Sequence, residues 1–110
     1  MIFEEFIQHI LVSVRKHVSE EAKEMFVDIT YNTIASEIVV VWANHKTTAS
    51  EIYAFPVMDC DEFLEEVSIG RDMHARAALL ITHIRLAMKD IKHRQLLCQD
   101  ALCSASVWGE

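Results

Sequence analysis

Apolar residues open the chain at helical spacing. Ile2, Phe3, Phe6, Ile7, Ile10, Leu11, Val14 and Val18 recur at i, i+3, i+4 and i+7, the pattern of a helix with one buried stripe. Glu4, Glu5, Gln8, Ser13, Arg15 and Lys16 occupy the other side. The spacing predicts an amphipathic helix over residues 2 to about 18. The segment SEEAKEM, 19–25, either continues it or restarts behind Ser19 as an N-cap.

At FVDITYN, 26–32, the period changes to two: Val27, Ile29 and Tyr31 face one way, Asp28, Thr30 and Asn32 the other, as in a half-buried strand. EIVVVWANH, 37–45, is a β-branched run ending in Trp42, and its continuous apolar character predicts a central strand covered on both faces. EIYAFPV, 51–57, reads as a third strand. Pro56 has no N–H to give to a ladder and belongs at a strand end or on an edge. The short polar links TIAS and KTTAS make an antiparallel meander the simplest arrangement.

MDCDEFLEEVSIG, 58–70, reads as a short helix. Asp59 and Glu62 form a D-x-x-E capping box and Gly70 sits at the C′ position. From Arg71 to Val107 there is neither Gly nor Pro, and roughly 72–103 should be helical. Unbroken, that core would be about 48 Å long, against a compact radius of gyration of about 13 Å for a chain of this size. The helix must therefore either break after Lys89 or extend to meet another chain.

On a helical wheel Met73, Ala77, Leu80, Ile81, Ile84, Met88, Ile91, Cys98 and Leu102 share one face. Ala75, Leu79, Leu86 and Leu97, with His93 among them, form a second apolar stripe nearly opposite. Arg76, His83, Asp90 and Arg94 line one edge between the stripes; His74, Arg85, Lys89, Lys92 and Gln99 line the other. A helix apolar on two sides needs two covers. The sheet supplies one, and the first helix or a second copy of the chain the other. Leu79, Leu86, His93 and Leu97 are the expected homodimer interface, since an uncovered row of leucines marks an association site and symmetric pairing is the common route.

Composition narrows the class. The 110 residues are 52% hydrophobic and 25% charged, with two Gly and one Pro. They suit a single α+β domain spanning 1–110, rich in helix and poor in tight turns. The formal net charge of −7 argues against a general nucleic-acid binder, which needs Lys and Arg on its surface. The charge is uneven: residues 1–69 carry four Lys/Arg and thirteen Asp/Glu, residues 70–110 six and four. The acidic part would suit a basic protein partner. The opening MIFEEFIQHILV lacks the cationic start and continuous apolar run of a signal peptide, and no apolar run is long enough for a membrane span. Three cysteines form no paired framework, so a reducing cytoplasm is the expected compartment.

Candidate chemistry is sparse. HRQLLCQDALC, 93–103, gathers one histidine and two cysteines. On a helix, however, Cys103 and His93 each stand about 140° from Cys98, on opposite sides, whereas a helical metal pair needs ligands three or four residues apart. Cys98 and Cys103 are also not a Cys-x-x-Cys pair. Cys98 is better read as a small buried hydrophobe. Cys60 begins a helix, but Asp59, Asp61 and Glu62 around it disfavour a nucleophilic thiolate. The six histidines show no H-E-x-x-H spacing, and two glycines, Gly70 and Gly109, leave no phosphate-cradling loop. No cofactor or metal is implied. Asp61 and Glu65, like Glu62 and Glu66, stand one turn apart, a charged face better suited to a basic protein than to a cation.

Two functional expectations follow. The first is a non-enzymatic protein-binding domain, an inhibitor or sequestering protein, with Asp59, Asp61, Glu62, Glu65 and Glu66 at the contact surface. The helix–meander–helix order and acidic bias resemble small acidic immunity proteins that neutralise bacterial toxins. The likeness is one of element order and charge, without a diagnostic motif, and it implies a steric inhibitor with no catalytic residues. The second is a homodimeric small-ligand-binding domain, open to enzymatic use, with Tyr31, Trp42, Tyr53, Phe55 and His83 lining a pocket between sheet and helices. The architecture expected under both is α-β-β-β-α-α, a three-stranded antiparallel sheet with the N-terminal and long C-terminal helices on one face.

Overall fold

The computed structural model describes residues 1–21, 25–44 and 49–108, with backbone alone for 26, 27, 44, 49 and 95–108. The elements run α1 (Phe3–Glu21), β1 (Phe26–Asn32), β2 (Glu37–Asn44), β3 (Ala49–Pro56), α2 (Cys60–Ser68) and α3 (Met73–Trp108). The expected α+β order is thus the observed one, with sheet order β1-β2-β3 and both pairings antiparallel.

α1 buries the stripe its spacing predicts: Phe6, Ile7, Ile10, Leu11, Val14 and Val18. The helix runs on through Ser19, whose hydroxyl donates back to the Lys16 carbonyl, so Ser19 is inside α1 and caps no new helix there. α1 packs against α3, β1 and α2.

The sheet offers Ile29, Ile38, Val40 and Trp42 to the core, all fully buried. Opposite Val40 stand Ile29 and Tyr53, and opposite Ile38 stand Tyr31 and Phe55. The alternation expected in β1 slips at its start. Phe26 pairs with Trp42 and Asp28 with Val41, which leaves Val27 as an extra residue in a bulge. Phe26, not Val27, therefore holds the register position across from Trp42. β2 is the central strand, as expected, but it is not covered on both faces. The helices lie on the Trp42 side. On the other side Val39 and Val41 are half-buried beside exposed Ala54 and Ile52. The β-branched neighbours shield one another sideways along the pleat, so a continuous apolar run does not require a second layer.

Local signals close the ends. The Asn32 carboxamide oxygen accepts from the Ile34 and Ala35 amides, an Asx turn that ends with Ser36 at φ 53°. Pro56 is the last residue of the outer strand β3, where its missing N–H is harmless. Asp59 caps α2, its carboxylate accepting from the Glu62 amide at 2.8 Å. At the other end Gly70 (φ 81°) donates to the Val67 carbonyl and Arg71 to the Glu66 carbonyl, the paired bonds of a Schellman motif. Asp72 then caps α3 through the His74 and Ala75 amides.

α3 does not break after Lys89. It continues for 36 residues, about 54 Å, and draws the chain out to 62 × 24 × 19 Å with a radius of gyration of 17.0 Å. Its buried face is Met73, Ala77, Ile84 and Met88, with Leu80, Ile81 and Ile91 packed at the margin. The places of Leu97, Cys98, Leu102 and Cys103 on their stripes fall outside the described side chains, and the KTTAS link with His45 falls outside the described residues apart from the backbone of Ala49 and Ser50.

The outer edge of β1 is guarded. An Arg15 Nη donates to the Ile29 carbonyl at 3.1 Å and the Asp28 carboxylate accepts from the Ile29 amide at 2.8 Å. Both groups of Ile29 are thereby withheld from strand pairing with another chain.

Three stability outcomes follow. Ile84→Ala should cost about 2–5 kcal/mol in urea unfolding, while Ile34→Ala, at the exposed tip of the first hairpin, should change stability by less than about 0.5 kcal/mol. Gly70→Ala should lose about 1–2 kcal/mol from its left-handed backbone alone, because nothing lies within 4 Å of the added Cβ. Arg15→Ala should lower stability by no more than about 1 kcal/mol, since the residue is half exposed. The same variant should aggregate faster on heating, read as light scattering.

Candidate functional site

α2 carries the acidic residues singled out in the sequence, and the way it is anchored decides which of them face out. Phe63 is buried and meets Phe6 and Phe3 of α1 at ring-centroid distances of 5.3 and 5.6 Å. Phe3 in turn meets Tyr31 of β1 edge-on at 6.0 Å. With Phe63 pointing inward, Asp61, Glu62 and Glu65 are exposed and Asp59 is half-buried at the cap. Glu66 is separated from them. It is turned toward α3 and pairs with Arg76 at 3.7 Å, where its Oε2 is buried without a hydrogen bond. The outer side of α2 also shows Leu64 (58% exposed) and Val67 (44%). These two were missed in the sequence, although one wheel turn of 60–68 puts both beside Cys60, next to the carboxylates. Cys60 is an exposed free thiol.

The five residues expected to line a common pocket are on the inner face of the sheet or across from it, and two of them, Tyr31 and Trp42, line different hollows. Tyr31 lines a groove between α1 and β1 with Ile7, Leu11 and Arg15. Phe55 meets His83 of α3 edge-on at 6.5 Å. The Tyr53 hydroxyl donates to the Glu51 carboxylate. Trp42 floors a cavity of about 390 Å³ where the end of α1 meets α3. Val18 and Met88 complete its apolar base, and Glu21, Lys89, Lys92 and His93 stand at the rim. Within that rim Glu21 is engaged: its carboxylate accepts from Arg85 at 3.0 Å, and its carbonyl accepts from the Lys92 ammonium at 2.6 Å. The pair Arg85–Glu21 is more than a third exposed on both sides and contributes little to stability. Its effect is positional, holding the basic edge of α3 against the end of α1.

The expected association row is exposed in the single chain. Leu79 and Leu86 are 66% and 62% accessible and His93 is exposed, while the Leu97 side chain lies outside the described set. Among the described residues no three His, Cys, Asp or Glu side chains come together as a metal site. No helix there is long and apolar enough to cross a membrane. Comparisons with protein-family models, curated proteins and solved structures find no match for this chain.

Proposed function

We propose that the chain is a non-enzymatic protein-binding domain of the cytoplasm, an inhibitor or sequestering protein whose contact surface is the outer side of α2. One observation carries this reading: Leu64 and Val67 are exposed along one flank of a short helix, with Asp61 one turn before Leu64 and exposed Glu65 on the adjoining side. Exposed apolar side chains bordered by charge are a feature of protein interfaces, and the sign of that charge suits a basic partner. The helix is held rigid by its two caps and by Phe63, so little ordering cost is left for binding. An occluding protein of this kind needs no catalytic group, in keeping with the likeness to small acidic immunity proteins.

The test is capture from the source organism's extract, followed by affinity measurement with the captured protein. Leu64→Ala and Glu65→Lys should each weaken binding by about tenfold or more, the size expected of a central contact. Glu5→Lys, on the exposed side of α1, should change nothing, and added salt should weaken the wild type. Equal retention by all three variants would remove α2 from the reading.

The Trp42 cavity supports a second reading, a homodimeric small-ligand-binding domain. Its volume lies within the usual range for small-molecule sites, and an apolar floor under Lys89 and His93 suits an organic anion. Anilinonaphthalene sulfonate is a fitting probe. Its fluorescence should rise saturably with the wild type and lose most of the increase in a Lys89→Glu/His93→Glu variant. An unchanged titration would end this reading.

A further inference from the structure

The two edges of the sheet are finished differently. On β1 both backbone groups of Ile29 point away from β2, because Arg15 and Asp28 take them up, and α1, which supplies Arg15, leans over that edge. Ladder geometry fixes what the other edge presents. Val57 donates to the Ser36 carbonyl, so every second residue back from it, Phe55, Tyr53 and Glu51, also turns its backbone groups toward β2. Working across the sheet from Ile29 gives the same phase, since Ile29 faces Val40 and Val40 faces Tyr53. Ser50, Ile52 and Ala54 therefore direct both N–H and C=O out of the sheet. Among the described residues no side chain is bonded to these groups. All three residues are exposed, Ile52 at 68%. β3 has no Lys or Arg, its one acid, Glu51, is bonded to Tyr53 on the inner face, and Pro56 comes only at its end. None of the usual devices that blunt a strand edge stands along 50–54.

We propose that this edge pairs with β3 of a second copy, antiparallel about a two-fold axis at Ile52, joining two three-stranded sheets into one. Backbone donors and acceptors in strand spacing call for another strand rather than for a helix or a small molecule. Ladder phase settles the direction. In a parallel ladder a residue turned toward its neighbour stands opposite one turned away, and a two-fold that sets each residue beside its own copy cannot meet that condition. Antiparallel pairing can. Self-complementarity selects the second copy and the centre. An axis at Glu51 would set two carboxylates against each other. An axis at Tyr53 or Ala54 would put Pro56, which has no N–H, opposite Ser50 or Ile52. With the axis at Ile52, that residue faces its own copy and Ser50 faces Ala54, so each outward donor along 50–54 meets an acceptor. Glu51, the strand's one charge, then stands opposite Tyr53 of the other copy, the hydroxyl type it already accepts from in its own chain. Pairing also supplies a missing neighbour on the outer face. Val41 has Asp28 on one side and Ile52 on the other and is half-buried, whereas Ile52 has Val41 alone. The paired stretch is short, at the small end of specific interfaces, so the dimer dissociates on dilution. It shares no residue with the outer side of α2, and a single-chain result would leave the proposed protein-binding role standing.

Sedimentation velocity and amide hydrogen exchange on the full chain test this together. The weight-average mass should climb with loading concentration from 12.6 kDa toward twice that value. Over the same range the Ile52 and Ala54 amides, open in the lone chain, should slow in exchange, about tenfold when about nine chains in ten are paired. The Tyr53 and Phe55 amides, bonded to β2, should be protected throughout. Ile52→Lys puts a charge on the edge, and Ala54→Pro removes an N–H that the lone chain does not use. Each should stay at the single-chain mass, and Ile52→Lys, at an exposed side chain, should keep the wild-type circular dichroism spectrum. With the native cysteines changed to serine, I52C should oxidise to a linked dimer, and A54C, which faces Ser50, should not. A single-chain mass at every concentration would overturn the proposal. So would a dimer that persists in Ile52→Lys, a dimer in which the Ile52 and Ala54 amides still exchange freely, or equal linking through I52C and A54C.

Discussion

The i, i+4 row Phe6–Ile10–Val14–Val18 on α1 is the constraint on which the rest of the structure depends. All four side chains are buried to 2% or less, and α1 is the element that touches α3, β1 and α2. A three-stranded meander has one apolar face and no independent stability until that face is covered. α1 supplies part of the cover, and its own stripe is wide enough to seat α3 beside it. Each fully buried aliphatic or aromatic side chain contributes about 1.5–3 kcal/mol by leaving water, so the row is a substantial part of the driving force.

That seating decides which chemistry faces outward. The aromatic contacts of Phe63 with Phe3 and Phe6 fix the rotation of α2 about its axis. The same rotation that buries Phe63 presents Leu64, Val67 and three carboxylates and turns Glu66 toward Arg76. Five acidic residues close in sequence thus divide into a surface set and one that braces α2 against α3. The caps of α2 define where it starts and stops, and they place Asp72 so that only three residues separate Ile69 from the first residue of α3.

α3 shows how a helix is used at its margins. Its mean polarity changes little around the circumference, because two apolar stripes alternate with two charged edges, so amphipathicity alone does not orient it. Orientation comes from the edges: Arg85 and Lys92 engage Glu21 at the end of α1, and Arg76 and His83 meet Glu66 and Phe55. These contacts are largely exposed and individually weak. They act by selecting which of two greasy stripes enters the core. The basic balance of residues 70–110 against the acidic balance of 1–69 is in part this internal complementarity.

Much of the fold was legible from residue order alone. Hydrophobic period separated α1 from the strands, the Asp59 and Gly70 signals bounded α2, and the two stripes of α3 were readable from spacing, because these are local consequences of chain geometry. The bulge at Val27 was not, since a register slip depends on what stands across the ladder, nor was the open face of β2, since a valine run looks the same whether its shield is a second layer or its own neighbours. The candidate site divides in the same way. The carboxylates of α2 were visible as a cluster, but which of them face out depends on where Phe63 points. Of the residues expected around one pocket, Trp42 and Tyr31 line different hollows, because alternate residues on one sheet face need not converge. Sequence determined the elements and their apolar sides; only the tertiary structure decided how each element is rotated, because rotation is set by contacts between residues far apart in the chain.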